Sequence, residues 1–416
     1  MSLSRSTPGR SRVVLVAALA AALVGGVGGS RATAESDGLT FTGQERLAPG
    51  VEYREFTLTA SHGHVAGHLL EVDLRDPRVS VDLLDPGAVA ARAPLSQMAD
   101  TEHAVGGVNG DFFNISETHP GVVPTGSAVG PAITHGRDWK AAVPVGQRFG
   151  PGLPPGTSTE DVIGVGADGR ARVARLALRG AALTPHGILD LAGLNQYALA
   201  ENGIGLFTSA WGTAARTRAT CGSDTNRNAP CSTDTEEVTV SGGRVVSVTA
   251  TPGSGPIPAG TLVMVGREAG ADALRGLAVG EPVAVLDRLA ATTPVPPFRF
   301  AVGGFPILAG GQPLDGLDTA VAAVRTAAGV SADGRRLWLL ALDGDSENGA
   351  GLTIAELAQL LLDLGAADGV NLDGGGSSDL VARDPGADGV TVRNHPSGGA
   401  ERPVPEGIGI FVRQRA

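Results

Sequence analysis

Lysine and charged residues in general are scarce in this chain, and both scarcities restrict its chemistry. Lys140 is the only lysine among 416 residues. This leaves almost no candidate for Schiff-base chemistry and makes arginine the side chain available for binding anions. Charged residues make up only 18% of the chain, whereas 62 residues are glycine, a composition typical of a β-rich protein with many turns. The length suggests two or three lobes, with one elaborate domain as the alternative.

Positive charge is in deficit, since the formal net charge is −11. Residues 1–34 contain four arginines and no acidic residue, so their removal would change the net charge from −11 to −15. An acidic protein of this kind is a poor candidate for binding nucleic acid or an anionic membrane. Beyond the N-terminus, no run of the sequence is long and apolar enough to span a bilayer.

The N-terminus has the three parts of a secretory signal peptide. Arg5, Arg10 and Arg12 form a positive region, residues 13–27 form a short apolar run, and residues 32–34 read Ala-Thr-Ala, which fits the small-x-small cleavage rule. The sequence therefore predicts a signal peptide over residues 1–34 and a secreted protein. An uncleaved membrane anchor is the alternative, which the short apolar run and the cleavage pattern disfavour.

Cysteine is nearly absent, which excludes a cysteine-rich zinc site. Cys221 and Cys231 are the only two, and in an exported chain they are predicted to form a disulfide that closes the polar loop 222–230.

The strongest local pattern lies between residues 336 and 378. Two short apolar runs, 337–342 and 369–372, are each followed by an aspartate, Asp343 and Asp373, and runs of this kind are typical of buried strands. Between them, Thr353-Ile-Ala-Glu is a capping-box pattern, and leucines at helical spacing follow it. The sequence thus predicts a strand, a crossover helix and a second strand in a right-handed parallel βαβ unit.

Parallel strands end at one edge of a sheet, so Asp343 and Asp373 are expected to lie on the same rim. Neighbouring strands are roughly 4.8 Å apart, and one intervening strand would double that spacing. Gly374, Gly375 and Gly376 follow Asp373 and would allow close approach of a ligand to the backbone. Simple Asp-Gly turns are the alternative explanation.

The rest of the chain reads mainly as strands. Residues 35–60 are predicted to be an exposed leading segment, and runs 68–74 and 79–84 to form an antiparallel hairpin. Short strands fill residues 160–290. The predicted fold class is α+β, with a mixed β-sheet core, the βαβ unit near the C-terminus and a β-rich middle lobe. The predicted divisions are an N-terminal part of the catalytic domain at 35–150, the middle lobe at 151–297, and a C-terminal part at 298–416 that carries the Asp/Gly-rich site.

Three stretches of the sequence resemble the phosphodiester glycosidases, the family typified by N-acetylglucosamine-1-phosphodiester α-N-acetylglucosaminidase. The most specific is Asn-Leu-Asp-Gly-Gly-Gly-Ser-Ser at 371–378; residues 108–113 and 325–329 support it, and Asn394 and the Glu-Arg-Pro at 401–403 fit the C-terminal pattern. Two departures concern acidic residues: Asp111 stands where glycine is more usual, and Asp379 where a small or polar residue is. Asp111 is interpreted as a solvated turn residue, with a third site carboxylate as the alternative.

The resemblance implies one pocket lined by residues from distant parts of the chain. These residues are Asn109, Arg325, Asp343, Asp373, Ser377, Asn394 and Arg402. The arginines would hold a phosphodiester, and Asp373 and Asp343 would act on the glycosidic carbon and water. Backbone N–H groups of Gly374, Gly375 and Gly376, together with the Ser377 hydroxyl, could cradle the phosphate oxygens.

The predicted function is that of a secreted glycosidase that hydrolyses a sugar-1-phosphodiester in cell-wall or extracellular polysaccharide, with a phosphorylated carbohydrate as its partner. A non-catalytic carbohydrate-phosphate binding protein is the alternative. A serine hydrolase that uses Ser377 and His395 is disfavoured, because Asp379 replaces the last glycine of the nucleophile elbow. No cofactor is expected to be required, although Asp343, Asp345 and Asp373 could hold Mg²⁺ or Ca²⁺.

Overall fold

The structure is a computed structural model that describes residues 38–344 and 351–413. The predicted signal peptide at 1–34 and Asp345 lie outside the described residues. All described residues belong to one compact unit, and the division into segments 35–150, 151–297 and 298–416 stays a prediction.

Twenty-five strands and three α-helices form within residues 38–344 and 351–413. The strands are β1 (Thr40–Ala48), β2 (Val51–Ala60), β3 (Gly63–Asp73), β4 (Val79–Leu84), β5 (Gly106–Asn109), β6 (Ala132–Thr134), β7 (Arg137–Lys140), β8 (Asp161–Gly166), β9 (Ala171–Thr184), β10 (Gly187–Asp190), β11 (Gly193–Leu194), β12 (Ile204–Phe207), β13 (Thr235–Ser241), β14 (Arg244–Thr249), β15 (Thr261–Arg267), β16 (Ala284–Ala291), β17 (Phe298–Gly303), β18 (Phe305–Ala309), β19 (Gln312–Pro313), β20 (Thr326–Val330), β21 (Arg336–Leu342), β22 (Asp368–Asn371), β23 (Leu380–Ala382), β24 (Thr391–Val392) and β25 (Gly407–Val412). The helices are α1 (Leu95–Thr101), α2 (Ala269–Arg275) and α3 (Ile354–Asp363). Single 3-10 turns lie at Val145–Gln147, Ser209–Trp211, Arg216–Thr220 and Gly375–Ser377.

The strands form four sheets, of which the largest has eight strands in the order β1-β2-β3-β21-β20-β22-β18-β19. A five-stranded sheet, β24-β23-β5-β25-β4, shares a hydrophobic core with one face of the large sheet, through residues such as Leu339 and Ile408. Leu357 and Leu361 of α3 pack with Trp338 in a second cluster. The remaining sheets are β10-β9-β8-β17-β6-β7, with β16 beside β9, and β11-β12-β15-β13-β14.

The predicted α+β class, rich in strands, agrees with these elements, but the mixed core sheet was wrong. Every neighbouring pair in the eight-stranded sheet is antiparallel, and the one parallel pair found among the described strands is β11 with β12. The predicted βαβ unit also differs from the structure. Its two strands, β21 and β22, are not neighbours, because β20 lies between them and pairs antiparallel with both. The two strands still run in the same direction, so both leave the sheet at one edge, about two strand spacings apart.

Two local predictions near the N-terminus agree with the structure only in part. Residues 40–60 form the paired strands β1 and β2; β1 is largely exposed, as predicted, whereas β2 buries side chains such as Tyr53 and Phe56. The runs 68–74 and 79–84 form strands but do not pair with each other. β3 pairs with β2 and β21, whereas β4 pairs with β25. Alternating apolar residues predict a half-buried strand correctly but do not select its partner, which here lies far along the chain.

The strand predictions in the middle of the chain were confirmed. The short strands predicted for residues 160–290 are present, among them β8, β9, β12, β13, β14, β15 and β16. The predicted disulfide between Cys221 and Cys231 is also present. None of the helices in the described part of the chain has the length and apolar character needed to cross a membrane.

The capping box at the start of α3 is present as predicted. The Thr353 hydroxyl accepts a hydrogen bond from the Glu356 backbone N–H at 3.2 Å, and the Glu356 carboxylate accepts from the Thr353 N–H at 2.9 Å. The same carboxylate accepts from the Ser61 N–H at 2.7 Å, which ties the helix to the turn between β2 and β3. At the other end, Gly365 adopts a φ of 97°, the left-handed conformation that favours glycine after a helix.

Replacing Thr353 with alanine is expected to destabilise the protein by about 1 kcal/mol, because the helix loses one of its caps. Thr353→Ser, which keeps the hydroxyl, is expected to stay close to the original stability. Urea unfolding monitored by circular dichroism measures both variants; equal midpoints for Thr353→Ala and the unmodified protein would contradict the capping role.

Candidate active site

A cavity of about 250 Å³ opens at the edge where β22 ends and β20 begins. One side is apolar and mostly aromatic, a second is backbone from the segment before β20, and the remainder carries a carboxyl group, two guanidinium groups and the glycine loop. Its lining residues are Phe112, Phe113, Ile115, Phe149, Gly150, Ala323, Val324, Arg325, Asp373, Gly374, Gly375 and Arg402. Of the predicted site residues, Asp373, Arg325, Gly374, Gly375 and Arg402 therefore meet here.

Asp373 is held rigidly and is hard to ionise. Its backbone N–H donates to the Gly110 carbonyl at 3.0 Å, and its carbonyl accepts from the Asn109 side chain at 2.7 Å. Burial raises the pKa of Asp373 to about 7, the charge of Asp111 adds to this rise, and the Ser377 hydroxyl and Arg402 oppose it. A carboxyl group with a pKa near 7 can both accept and donate a proton at neutral pH.

Arg325 and Arg402 bring positive charge to the cavity from two sides. Two nitrogens of Arg325 donate to the carbonyls of Leu352 (2.9 Å) and Val321 (2.8 Å), which fixes the guanidinium plane. Arg402 donates to the Ser377 hydroxyl at 3.1 Å. Within the described residues neither arginine forms an ion pair, and guanidinium groups of this kind suit an anionic ligand.

The glycine loop is shaped by close packing. A side chain on Gly374 would lie 2.5 Å from the Val324 carbonyl, and one on Gly376 would collide with the Arg402 guanidinium. Gly375, with a φ of 61°, needs the left-handed region. The Gly374 N–H donates to the carboxylate of Asp373 and the Gly375 N–H to the Val324 carbonyl, so neither is free for the predicted phosphate cradle. The Gly376 N–H has no acceptor within the described part of the chain.

The predicted ligand-binding asparagines instead hold the walls of the site. Asn109 is fully buried; its amide donates to the Asp373 carbonyl, and its carbonyl oxygen accepts from the Thr326 hydroxyl (2.8 Å) and the Asp379 N–H (3.0 Å). Asn394 donates to the Ser378 carbonyl at 2.7 Å and accepts from the Leu380 N–H at 2.8 Å. Neither side chain lines the cavity, because the hydrogen-bonding groups of each are directed to the protein.

Asp343 lies at the same edge of the sheet but not on the cavity. Its carboxylate accepts from His68 Nε2 at 3.0 Å and from the His395 N–H at 2.8 Å, and His68 in turn contacts the Tyr53 hydroxyl at 2.7 Å. Burial opposes ionisation of Asp343, but the hydrogen bonds from His68 and His395 outweigh it, so its pKa lies below the ordinary value. Asp343 therefore does not line the cavity beside Asp373, and its hydrogen bond to the His395 N–H positions the segment that begins there. Its predicted action together with Asp373 stays a prediction.

Ser377 and His395 do not form a nucleophile and base. The Ser377 hydroxyl is buried and accepts from Arg402, while the His395 ring lies 3.3 Å from Asp343 and is largely exposed. In the part of the chain that the structure describes, no hydrogen bond joins the two side chains. This arrangement disfavours the serine-hydrolase alternative.

A buried charged cluster behind the cavity was not predicted. Asp111, interpreted from the sequence as a solvated turn residue, is 2% exposed, and Lys140 and Glu406 are equally buried. Asp111 accepts from the Phe112 N–H at 2.8 Å and the Gly130 N–H at 2.5 Å. Burial raises the pKa of Asp111 to about 6 and that of Glu406 to about 8, and lowers the pKa of Lys140 to about 8.

Sequence reasoning also missed the cavity's aromatic wall. Phe112 and Phe113 were noted only within the stretch 108–113 that supports the family resemblance, and Phe149 was not singled out. Phe112 stacks on Phe305 with ring centroids 4.8 Å apart, and the Arg227 guanidinium lies 4.2 Å above the Phe149 ring. Only the Phe-Phe pair directly after the Asn109-Gly110-Asp111 turn could have drawn attention to this wall.

One described group of side chains has the spacing of a metal site, formed by His119, Cys221 and Cys231. Both sulfur atoms belong to the disulfide, and His119 bonds to Glu117 and to the Ala229 carbonyl at 2.9 Å. These residues therefore do not fit a thiolate-bound metal. Of the predicted Mg²⁺ or Ca²⁺ ligands, Asp373 lines the cavity and Asp343 does not, and Asp345 is outside the described residues, so this metal site stays a prediction.

Residues 234–411 match the family model described as phosphodiester glycosidase, which confirms the resemblance predicted from the sequence for that part of the chain. The matched range contains Asp373, Arg325 and Arg402 but not the phenylalanine wall. A search of curated proteins gave no match.

Two solved structures share the fold at low sequence identity. A "hypothetical protein" from Synechocystis is 23% identical with a TM-score of 0.67, and the match covers 91% of this chain and 64% of that protein's length. A "putative exported protein" from Burkholderia pseudomallei is 20% identical with a TM-score of 0.67, covering 90% of this chain and 97% of that one. The zebrafish N-acetylglucosamine-1-phosphodiester α-N-acetylglucosaminidase catalytic domain, auto-inhibited by its pro-peptide, is 17% identical with a TM-score of 0.43, covering 91% and 88%.

Proposed function

Because residues 234–411 match the phosphodiester glycosidase family, we propose that this protein hydrolyses the bond between a sugar and a phosphodiester at the anomeric carbon. The observation that carries the proposal is the convergence of Asp373, Arg325 and Arg402 on one cavity. Two guanidinium groups without ion-pair partners in the described chain suit a phosphodiester. A carboxyl group whose pKa is about 7 suits proton transfer at neutral pH.

In the proposed reaction, water attacks the anomeric carbon while the bond from that carbon to the phosphodiester oxygen breaks. Asp373 accepts one proton from the attacking water. The leaving group departs as a phosphomonoester anion, whose charge Arg325 and Arg402 stabilise. Because the leaving group is already anionic and well stabilised, no second carboxyl group is needed to protonate it, which accommodates the absence of Asp343 from the lining of the cavity.

We also propose that the protein is exported and acts on cell-wall or extracellular polysaccharide. The signal-peptide pattern at residues 1–34 supports this part, as does the disulfide, since such bonds persist in oxidising compartments. The alternative of a carbohydrate-phosphate binding protein uses the same arginines without turnover.

The test is a panel of sugar-1-phosphodiesters that differ in the sugar, incubated with the protein with and without a chelator and analysed for both the free sugar and the phosphomonoester. Release of both products from at least one compound supports the glycosidase. Saturable binding by calorimetry with no product from any compound would favour the binding protein instead. Loss of activity with chelator, restored by Mg²⁺ or Ca²⁺, would add a metal requirement.

Replacing Arg402 with methionine is expected to lower kcat/KM on a working substrate by about 10- to 100-fold, since one of two charges on the leaving phosphate is lost. The matched control is Arg179→Met, which removes an exposed arginine of β9 outside the cavity and is expected to leave the rate unchanged. Steady-state kinetics measures both; equal rates for the two variants would contradict a role of Arg402 at the phosphate.

A further inference from the structure

A second, larger cavity adjoins the candidate active site. Its volume is about 600 Å³, and it shares Ile115 and Arg402 with the first cavity. Arg402 therefore lies on the boundary between the two spaces. In the proposed function this is where the phosphate of the substrate would sit, with the sugar beside Asp373 and the rest of the molecule extending into the second cavity.

A further guanidinium group lines the second cavity. Arg92 is exposed, and its guanidinium carbon lies 5.8 Å from the centre of the Phe113 ring, which itself lines the first cavity. The Arg92 side chain also packs on Gly126, where an added side chain would lie 2.9 Å from it. Arg92 is thus supported by two neighbours in an orientation near the active site while its charge stays accessible.

The charge of this cavity is of one sign within the described residues. Arg92 and Arg402 are its ionisable lining residues, and the others are small, apolar or hydroxyl-bearing, such as Thr125 and Pro403. The formal net charge of the protein is −11, but this cleft presents two arginines and no described carboxylate. Its local positive charge favours an anionic ligand.

We propose that the second cavity is the subsite for the leaving group, and that it takes a leaving group with a phosphate of its own, as in a repeating sugar–phosphate chain. Arg402 contacts the phosphate next to the scissile bond, and Arg92 contacts the next one along. This inference rests on the proposed function for the direction of the substrate, but the binding of a second anion can be measured without turnover.

The kinetic test uses two N-acetylglucosamine-1-phosphodiesters with the same sugar, one with glycerol and one with glycerol 3-phosphate as the leaving group. The unmodified protein is expected to show a kcat/KM about tenfold higher for the phosphorylated compound, and this preference should shrink at high salt, which screens exposed charges. Arg92→Met is expected to bring the ratio of the two values close to one, whereas the control Arg179→Met keeps it. Equal values in the unmodified protein, or an unchanged ratio in Arg92→Met, would overturn the subsite.

The binding test separates this inference from the proposed function. Calorimetry with Asp373→Asn measures the affinity for both compounds without hydrolysis, alone and combined with Arg92→Met. Tighter binding of the phosphorylated compound that disappears with Arg92→Met supports the subsite even when the unmodified protein hydrolyses neither compound. Only a lack of turnover across the whole panel of sugar-1-phosphodiesters would reject the glycosidase. Hydrolysis of both compounds at equal rates, with equal affinities, would reject the subsite and retain the glycosidase.

Discussion

Asp373→Asn is expected to lower kcat by about 10²- to 10⁴-fold on a working substrate, the usual contribution of a general base. The asparagine keeps the size of the side chain but cannot accept the proton of the attacking water. Because the pKa of Asp373 lies near 7, kcat/KM of the unmodified protein should rise with pH up to about 7 and then level off, whereas the residual rate of the variant should lack this rise. A variant with near-normal activity would reject the proposed mechanism.

The stability of the same variant distinguishes lost chemistry from lost folding. The folded-state pKa of Asp373 is raised above the unfolded value of 3.8. The folded protein therefore holds a proton that the unfolded chain has released, and stability falls as the pH rises from about 4 to 7. Asparagine does not ionise, so Asp373→Asn should be at least as stable as the unmodified protein at pH 8, as measured by thermal unfolding. Asp388→Asn, the same change at an exposed residue, is the control and should alter neither activity nor stability.

Local patterns in the sequence predicted the features of the structure that are encoded within a few residues. The Asp373 loop, the capping box at Thr353 and the disulfide are each complete within about ten residues. Asn109 and Asn394 were recognised as important, but their role was not predicted. Whether a buried amide faces a ligand or the protein depends on what the fold places beside it, and Asn109 bonds to residues more than 200 positions away.

The order of the strands in the sheets could not be predicted from the sequence for a related reason. Apolar runs defined β4, β21 and β22 closely and β3 only over its second half. The insertion of β20 between β21 and β22 and the separation of β3 from β4 depend on pairings between distant strands. Strands with the same alternation of burial compete for the same neighbours, and only their combined packing decides the order. The edge shared by Asp343 and Asp373 was nevertheless predicted, because it depends only on the direction of the two strands.

Lys140→Met is expected to destabilise the protein by about 3–5 kcal/mol at pH 8, the cost of removing one partner from a buried set of charges. Lys140 is 1% exposed, and its amino group donates to the carbonyls of Gly130 and Ala141, the latter at 2.7 Å. Its charge also acts on Asp111 and Glu406. The variant would leave both carboxyl groups without this cation in a region that water does not reach.

The pH dependence of this loss identifies its electrostatic part. The folded-state pKa values of Asp111 and Glu406, about 6 and 8, lie above their unfolded values, so stability falls as the pH rises from about 4 to 8. Lys140 lowers both pKa values and so limits that fall; without it the fall should be steeper, and the loss in Lys140→Met should be larger at pH 8 than at pH 5. Glu406→Gln in the Lys140→Met background should recover part of the loss at pH 8. Urea unfolding at pH 5 and pH 8 measures the stability of the unmodified protein and of both variants. If the loss in Lys140→Met does not depend on pH and Glu406→Gln does not reduce it, Lys140 acts only through its hydrogen bonds and packing. In that case Lys140 would affect the candidate active site only through packing and hydrogen bonds and not through its charge. The structural connection runs through Asp111, because the carbonyl of its neighbour Gly110 accepts the N–H of Asp373.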